Sequence, residues 1–154
     1  MSMTMTGEVV LPAPKEVVWA KLNDPETLKA CIPGCESLES LSPTEFQAVA
    51  KVKVGPVSAR FKGKVSLLDI DAPNGYRLQG EGEGGIAGFA KGGANVRLED
   101  ADGGATKLTY DVNATVGGKI AQLGGRLINS VAKKNADQFF ENFTNIVSGA
   151  APQA

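Results

Sequence analysis

The chain has 154 residues, 42% of them hydrophobic, which is enough for one domain with an apolar core, and no apolar run approaches the roughly 18 residues that cross a bilayer. Sixteen Lys and Arg against seventeen Asp and Glu give a net charge of −1, so no global field draws the protein to nucleic acid or to an anionic membrane. Histidine is absent, and with it go the commonest general base, the commonest metal ligand and the histidine-dependent catalytic triads.

Met5 to Leu11 reads as a first strand closed by Pro12 and Pro14, and Lys15 to Leu22 as a short helix with Val18, Trp19 and Leu22 on its apolar side. Asp24 then caps a second helix with Pro25 at its first position, and Pro33-Gly34 ends it; Leu28 and Ile32 share one side. From Glu36 the period becomes two. Phe46, Ala48, Ala50, Val52 and Val54 alternate with polar residues, and after Gly55-Pro56 so do Val57, Ala59, Phe61, Val65 and Leu67, the pattern of an antiparallel hairpin with one wet face. Turns at Ala72 to Gly75 and Ala101 to Gly104 separate further strands over Tyr76 to Glu83, Phe89 to Glu99 and Thr106 to Val116. Beyond Gly117-Gly118 the period is 3.6: Ile120, Leu123, Leu127, Val131, Phe139, Phe143 and Ile146 make the stripe of one helix of about seven turns. That stripe needs burial, and the available surface is the concave face of the sheet. The expected class is α+β, ordered β-α-α, six strands, α, in a single domain over residues 1–148 with a flexible tail at 149–154.

The inward positions of this sheet are small: Ala48, Ala50, Ala59, Gly63, Ala90, Gly92, Ala94 and Ala114. Either the last helix settles close upon them or a hollow remains, of the size that takes small apolar ligands. Phe61, Phe89, Tyr110, Leu123 and Leu127 are expected to line such a hollow, with Leu28, Cys31, Ile32 and Val131 beside them. Tyr110 is the inward group able to hydrogen-bond a ligand's polar end.

Gly80-x-Gly82-x-x-Gly85 matches the dinucleotide fingerprint in form, yet a strand rather than a helix follows it, so no helix N-terminus is there to hold a pyrophosphate. Seven glycines between Gly80 and Gly93 instead suggest a bent loop at the lip of the hollow, with Ile86 and Phe89 as its apolar tip. Lys51, Lys53, Arg60, Lys62 and Lys64 fall on the outward face of the first hairpin, either as a solvated face or as a docking surface for an acidic partner or anionic headgroups. Cys31 and Cys35 have the wrong spacing for a CxxC redox pair, and free thiols are expected. Glu8, Asp69, Asp71, Glu81, Glu83 and Asp111 alternate outward without a recognisable proton-donor partner, so neither catalysis nor a cofactor is expected. The N-terminus carries no signal-peptide pattern, and a cytoplasmic location, at most peripheral to the membrane, follows as the expectation.

Val17-Val18-Trp19-Ala20-Lys21-Leu22, the turn Cys31-Ile32-Pro33-Gly34-Cys35, the glycine-rich middle and the ending Phe139-Phe140-Glu141-Asn142-Phe143 together resemble the CoxG family of carbon monoxide dehydrogenase proteins, from about Met5 to Val147. That family lies within the helix-grip superfamily of START domains, polyketide cyclases and pollen allergens. The resemblance implies a curved sheet wrapped around the terminal helix with a ligand cavity between them. It also implies a non-catalytic accessory role beside a molybdenum-containing carbon monoxide dehydrogenase or related hydroxylase at the membrane. Some members carry a C-terminal extension associated with membrane attachment; with Ser148 to Ala154 in that place, no built-in anchor is expected here. A lipophilic partner molecule such as a quinone fits the apolar character of the hollow. A general lipid or aromatic carrier, or a cyclase or hydrolase, are the other readings.

Overall fold

The structure is a computed structural model describing the backbone of residues 1–150 and the side chains of residues 1–148. The elements follow the expected order: β1 (Ser2–Leu11), α1 (Lys15–Leu22), α2 (Pro25–Cys31), β2 (Cys35–Ser42), β3 (Glu45–Val54), β4 (Val57–Asp71), β5 (Gly75–Glu83), β6 (Phe89–Ala101), β7 (Ala105–Gly117) and α3 (Gly125–Ala150). The tail expected from residue 149 lies, from residue 151 onward, outside the described residues. All seven strands join one antiparallel sheet in the order β1-β7-β6-β5-β4-β3-β2. Only β1 leaves sequence order. The α1–α2 crossover carries the chain from one edge of the sheet to the other, and the last strand closes against the first.

Side-chain alternation decides which face each residue takes. Phe46, Leu67, Tyr76, Val96, Leu98 and Leu108 turn inward and are buried, while their neighbours on the same strands face water. The alternation of Lys and Glu outside is a cross-strand register, with Lys64 opposite Glu81 and Lys62 opposite Glu83.

Two parts of the pattern differ from expectation. Most of the glycine-rich run is strand: Gly80 and Gly82 lie in β5, Gly92 and Gly93 in β6, and the connection shrinks to Gly84–Gly88 around a 3-10 turn at Gly85–Ala87. Glycine gives no alternation signal, which is why this stretch reads as a loop. The terminal helix also starts later than its stripe suggests. Lys119–Leu123 is a 3-10 turn, Gly124 breaks it with φ of 94°, and α3 begins at Gly125, so Ile120 and Leu123 pack beneath the helix rather than along it.

Asp24 does precede α2, but its carboxylate accepts from the Thr27 hydroxyl at 2.7 Å instead of from a backbone N–H. That bond holds the Asp24 carboxyl below its ordinary range. At the other end Gly34 adopts φ of 75°, and its carbonyl accepts from the Lys51 N–H at 2.8 Å. A Cβ there would fall on the Lys51 carbonyl, so this turn accepts only glycine where it docks on β3.

α3 is held at two places. Phe143 and Val147 are fully buried against Leu11, Val18, Leu22, Cys31 and Leu108 in the larger core. Ile128 packs with Val54, Val116 and Ile120 in a smaller core at the opposite end of the sheet. Between Ile128 and Phe143 the helix spans about 22 Å, and its sheet-facing residues there include Ala132 and Ala136.

A candidate ligand cavity under the terminal helix

Where those alanines pass over the small residues of the sheet, the two surfaces do not meet. A cavity of about 350 Å³ remains. Its floor includes Ala48, Val65, Leu78, Ala94 and Val112, and its roof is Ala136, Phe139 and Phe140. Leu22, Leu28 and Ile32 close the end under α1 and α2. Leu78, Val65, Ala94 and Val112 point inward yet stay only half-buried, as expected of side chains facing a void. The volume lies at the lower end of the range typical of small-molecule sites, roughly 300 to 1,000 Å³.

The roof is held by a run of rings. Phe143 stacks on Phe139 at 5.9 Å, Phe139 meets Phe140 edge-on at 5.0 Å, and Phe140 stacks on Tyr110 at 5.4 Å. Such contacts add about 0.5 to 1.5 kcal/mol each beyond the area they bury. The Tyr110 ring lies over Gly7 on β1, where a Cβ would fall on its hydroxyl, so the small residue makes room for the large one.

Among the described residues no charged side chain lines the cavity, and its polar residues are Tyr76 and Tyr110. They stand in one cross-strand row, Tyr76 opposite Val96 and Val96 opposite Tyr110. Tyr76 is only 8% exposed, and its ring packs on Trp19 with centroids 5.1 Å apart. Burial pushes its phenol up from 10.0 to about 12. The folded pKa therefore exceeds the unfolded one: the stabilisation is complete below pH 10 and is lost as pH rises towards 12. Chemical denaturation across that window should show wild type losing up to about 1.4 kcal/mol per pH unit more than Tyr76→Phe; parallel slopes would contradict the burial of this hydroxyl.

Of the residues expected from sequence to line the site, Leu28, Ile32 and Tyr110 do. Phe61, Leu123, Leu127 and Val131 pack instead in the smaller core, with Phe61 lying over Gly84, where a Cβ would come within 2.8 Å of its ring. Parity places their face correctly, but not their distance along the sheet. Cys31 is buried in the larger core and its carbonyl accepts from Asn142 Nδ2 at 3.0 Å. Burial raises its thiol, and raises that of Cys35, so neither is poised as a nucleophile. Phe89 is on the outer face, 41% exposed, its ring crossing Gly117; Ala90, not Phe89, shares the inward parity of Gly92 and Ala94. Ile86 stands 90% exposed at the tip of the β5–β6 connection, away from the cavity.

Tyr76, Phe46, Leu78, Met5, Phe139 and Phe140 are lining residues not expected from the sequence. Tyr76 is nonetheless legible there, because it shares parity with Leu78 on β5. On the outer hairpin face Lys51 lies opposite Arg60, as the turn implies. Arg60 Nε donates to Glu36 at 2.7 Å and Lys64 sits 3.6 Å from Glu45, whereas Lys51, Lys53 and Lys62 have no ion pair among the described residues. A broad open depression on this side, lined by Lys64, Arg77, Glu81 and Lys91 among others, is polar and shallow, unlike the cavity.

A seven-stranded antiparallel sheet gripping a long C-terminal helix over an apolar hollow defines a protein of the helix-grip, START-like fold. The chain belongs to the carbon monoxide dehydrogenase CoxG family, whose pattern matches residues 7–148. It is similar to a conserved protein from Geobacillus kaustophilus, with 32% identity over 96% of this chain and 97% of that one and a TM-score of 0.90. At the level of fold it is similar to the ZhuI aromatase/cyclase from Streptomyces sp. R1128, with 14% identity over 98% and 96% of the two chains and a TM-score of 0.72. A START superfamily protein from Mycobacterium smegmatis gives 14% identity, 96% and 98% coverage and a TM-score of 0.72. Among curated proteins there is no match. No helix among the described residues is long and apolar enough to cross a membrane.

Proposed function

We propose that this protein is a non-catalytic carrier of a lipophilic molecule, of the isoprenoid quinone class, and that it serves a molybdenum-containing carbon monoxide dehydrogenase or related hydroxylase at the membrane. Family membership supports the accessory role. The observation that carries the ligand is the cavity, whose lining residues bear no charge and whose only polar side chains, among the described residues, are two phenols. A cyclase or hydrolase needs a proton donor and acceptor placed against the substrate; two tyrosines and hydrocarbon make a poor set for that task and a good one for holding an oily molecule. Protein recovered from native membranes without refolding should carry an isoprenoid quinone enriched over bulk lipid, as read by mass spectrometry. Equal or lower quinone content than bulk lipid would overturn the assignment of ligand.

Contact with the membrane is proposed through the outward cations Lys51, Lys53 and Lys62, with Arg60 and Lys64 partly neutralised by Glu36 and Glu45. Each basic residue near an anionic surface contributes about 1 kcal/mol. Reversing Lys51, Lys53 and Lys62 to Glu should therefore weaken sedimentation with phosphatidylglycerol vesicles by at least about tenfold at low salt. Undiminished sedimentation would assign this hairpin to solvent alone.

A further inference from the structure

A buried hydroxyl without a partner is uncommon in folded proteins, because leaving it unpaired costs more than pairing it gains. Tyr76 is such a group. It lies on the cavity wall at 8% exposure, and its hydroxyl makes no hydrogen bond to another described residue. Among the described residues no side-chain nitrogen or oxygen is both sealed and unpartnered, so the Tyr76 oxygen opens on free space. Its ring is fixed by Trp19 on one side and by its place in the row with Val96 and Tyr110 on the other. Since burial keeps the phenol protonated to about pH 12, it is a hydrogen-bond donor throughout the physiological range.

We propose that Tyr76 is the donor that fixes a carbonyl oxygen of the bound molecule, so that the cavity selects apolar compounds bearing a hydrogen-bond acceptor over hydrocarbons of the same shape. The assignment rests on the carrier reading above and narrows it. Tyr110, half-buried in the same row, opens also on a groove beside Lys133 and Asp137 at the outer side of α3 and is the shallower of the two phenols. The acceptor belongs with the deeper one. A site that must keep an unpaired donor in an apolar wall gives up stability for selectivity.

Menadione and methylnaphthalene share a ring system and differ in two carbonyl groups. Displacement of Nile red from wild type and from Tyr76→Phe gives the ratio of their dissociation constants in each protein. The preference for menadione relative to methylnaphthalene should fall about fivefold to tenfold in Tyr76→Phe, with methylnaphthalene affinity unchanged and the melting temperature equal or higher. An unchanged ratio would overturn the assignment. So would loss of the preference in Tyr110→Phe instead, or a lowered melting temperature with the ratio intact, which would make the phenol structural. If wild type binds neither probe nor Nile red, the carrier reading itself fails; binding of all three with equal ratios in both proteins sinks Tyr76 alone.

Discussion

Ala136→Phe is expected to lower affinity for lipophilic ligands by close to two orders of magnitude while leaving the fold intact. Ala136 is the small residue in the middle of the roof, facing the floor at Leu78 and Ala94 across the hollow. A phenyl ring in the ligand's place withdraws about 100 Å² of apolar contact, or about 2.5 kcal/mol at 25 cal/mol per Å². The same ring fills a void, so the melting temperature should hold or rise by the equivalent of about 0.5 to 2 kcal/mol. A Nile red titration beside a thermal melt reads both quantities. Opposite signs are the mark of a cavity kept open for a ligand. Full affinity in a well-folded variant would place the ligand elsewhere, and a large loss of stability would show that the space is already filled.

The second large effect concerns the anchor of the roof. Phe143 is fully buried where α3 meets α1, β1 and β7, and truncating such a side chain leaves a cavity that costs about 3 to 5 kcal/mol. Set against a typical total of about 5 to 15 kcal/mol, Phe143→Ala should lower the melting temperature by about 10 °C or more. Phe143 also backs Phe139, which backs Phe140, which stacks on Tyr110, so the cavity loses its roof along with the core. Urea denaturation with a parallel binding titration is the check. A destabilisation below about 1 kcal/mol would mean that the helix is not held at this point.

Much of this architecture is legible in the residues because its periods are clean. The switch from alternation in Leu108, Tyr110, Val112 and Ala114 to the 3.6-residue stripe of Leu127, Val131 and Phe143 marks the last strand and the last helix without ambiguity. Alternation also names the small inward residues, and two of them, Ala48 and Ala94, do floor the cavity. Position along the sheet is what it cannot name. Phe61 and Val65 share a face of β4 only four residues apart, yet Phe61 belongs to the smaller core and Val65 to the cavity. Which of them the helix covers depends on how α3 is set down by Ile128 at one end and by Phe143 at the other, contacts distant in sequence. Gly80 and Gly82 escape for a different reason: a residue without a side chain has no face to alternate. Phe89 and Tyr76 are within reach, since the parity of Ala90 and of Leu78 already places one outside and the other inside.

Crystals of delipidated protein pressurised with xenon test the central claim most directly, because xenon occupies dry apolar voids and little else in a protein. Xenon should appear between Ala94 and Leu78 below and Ala136 above, with the rings of Phe139 and Phe140 standing as they do here. Those two rings turned down onto the sheet, with protein atoms filling the space and no xenon in it, would contradict the account.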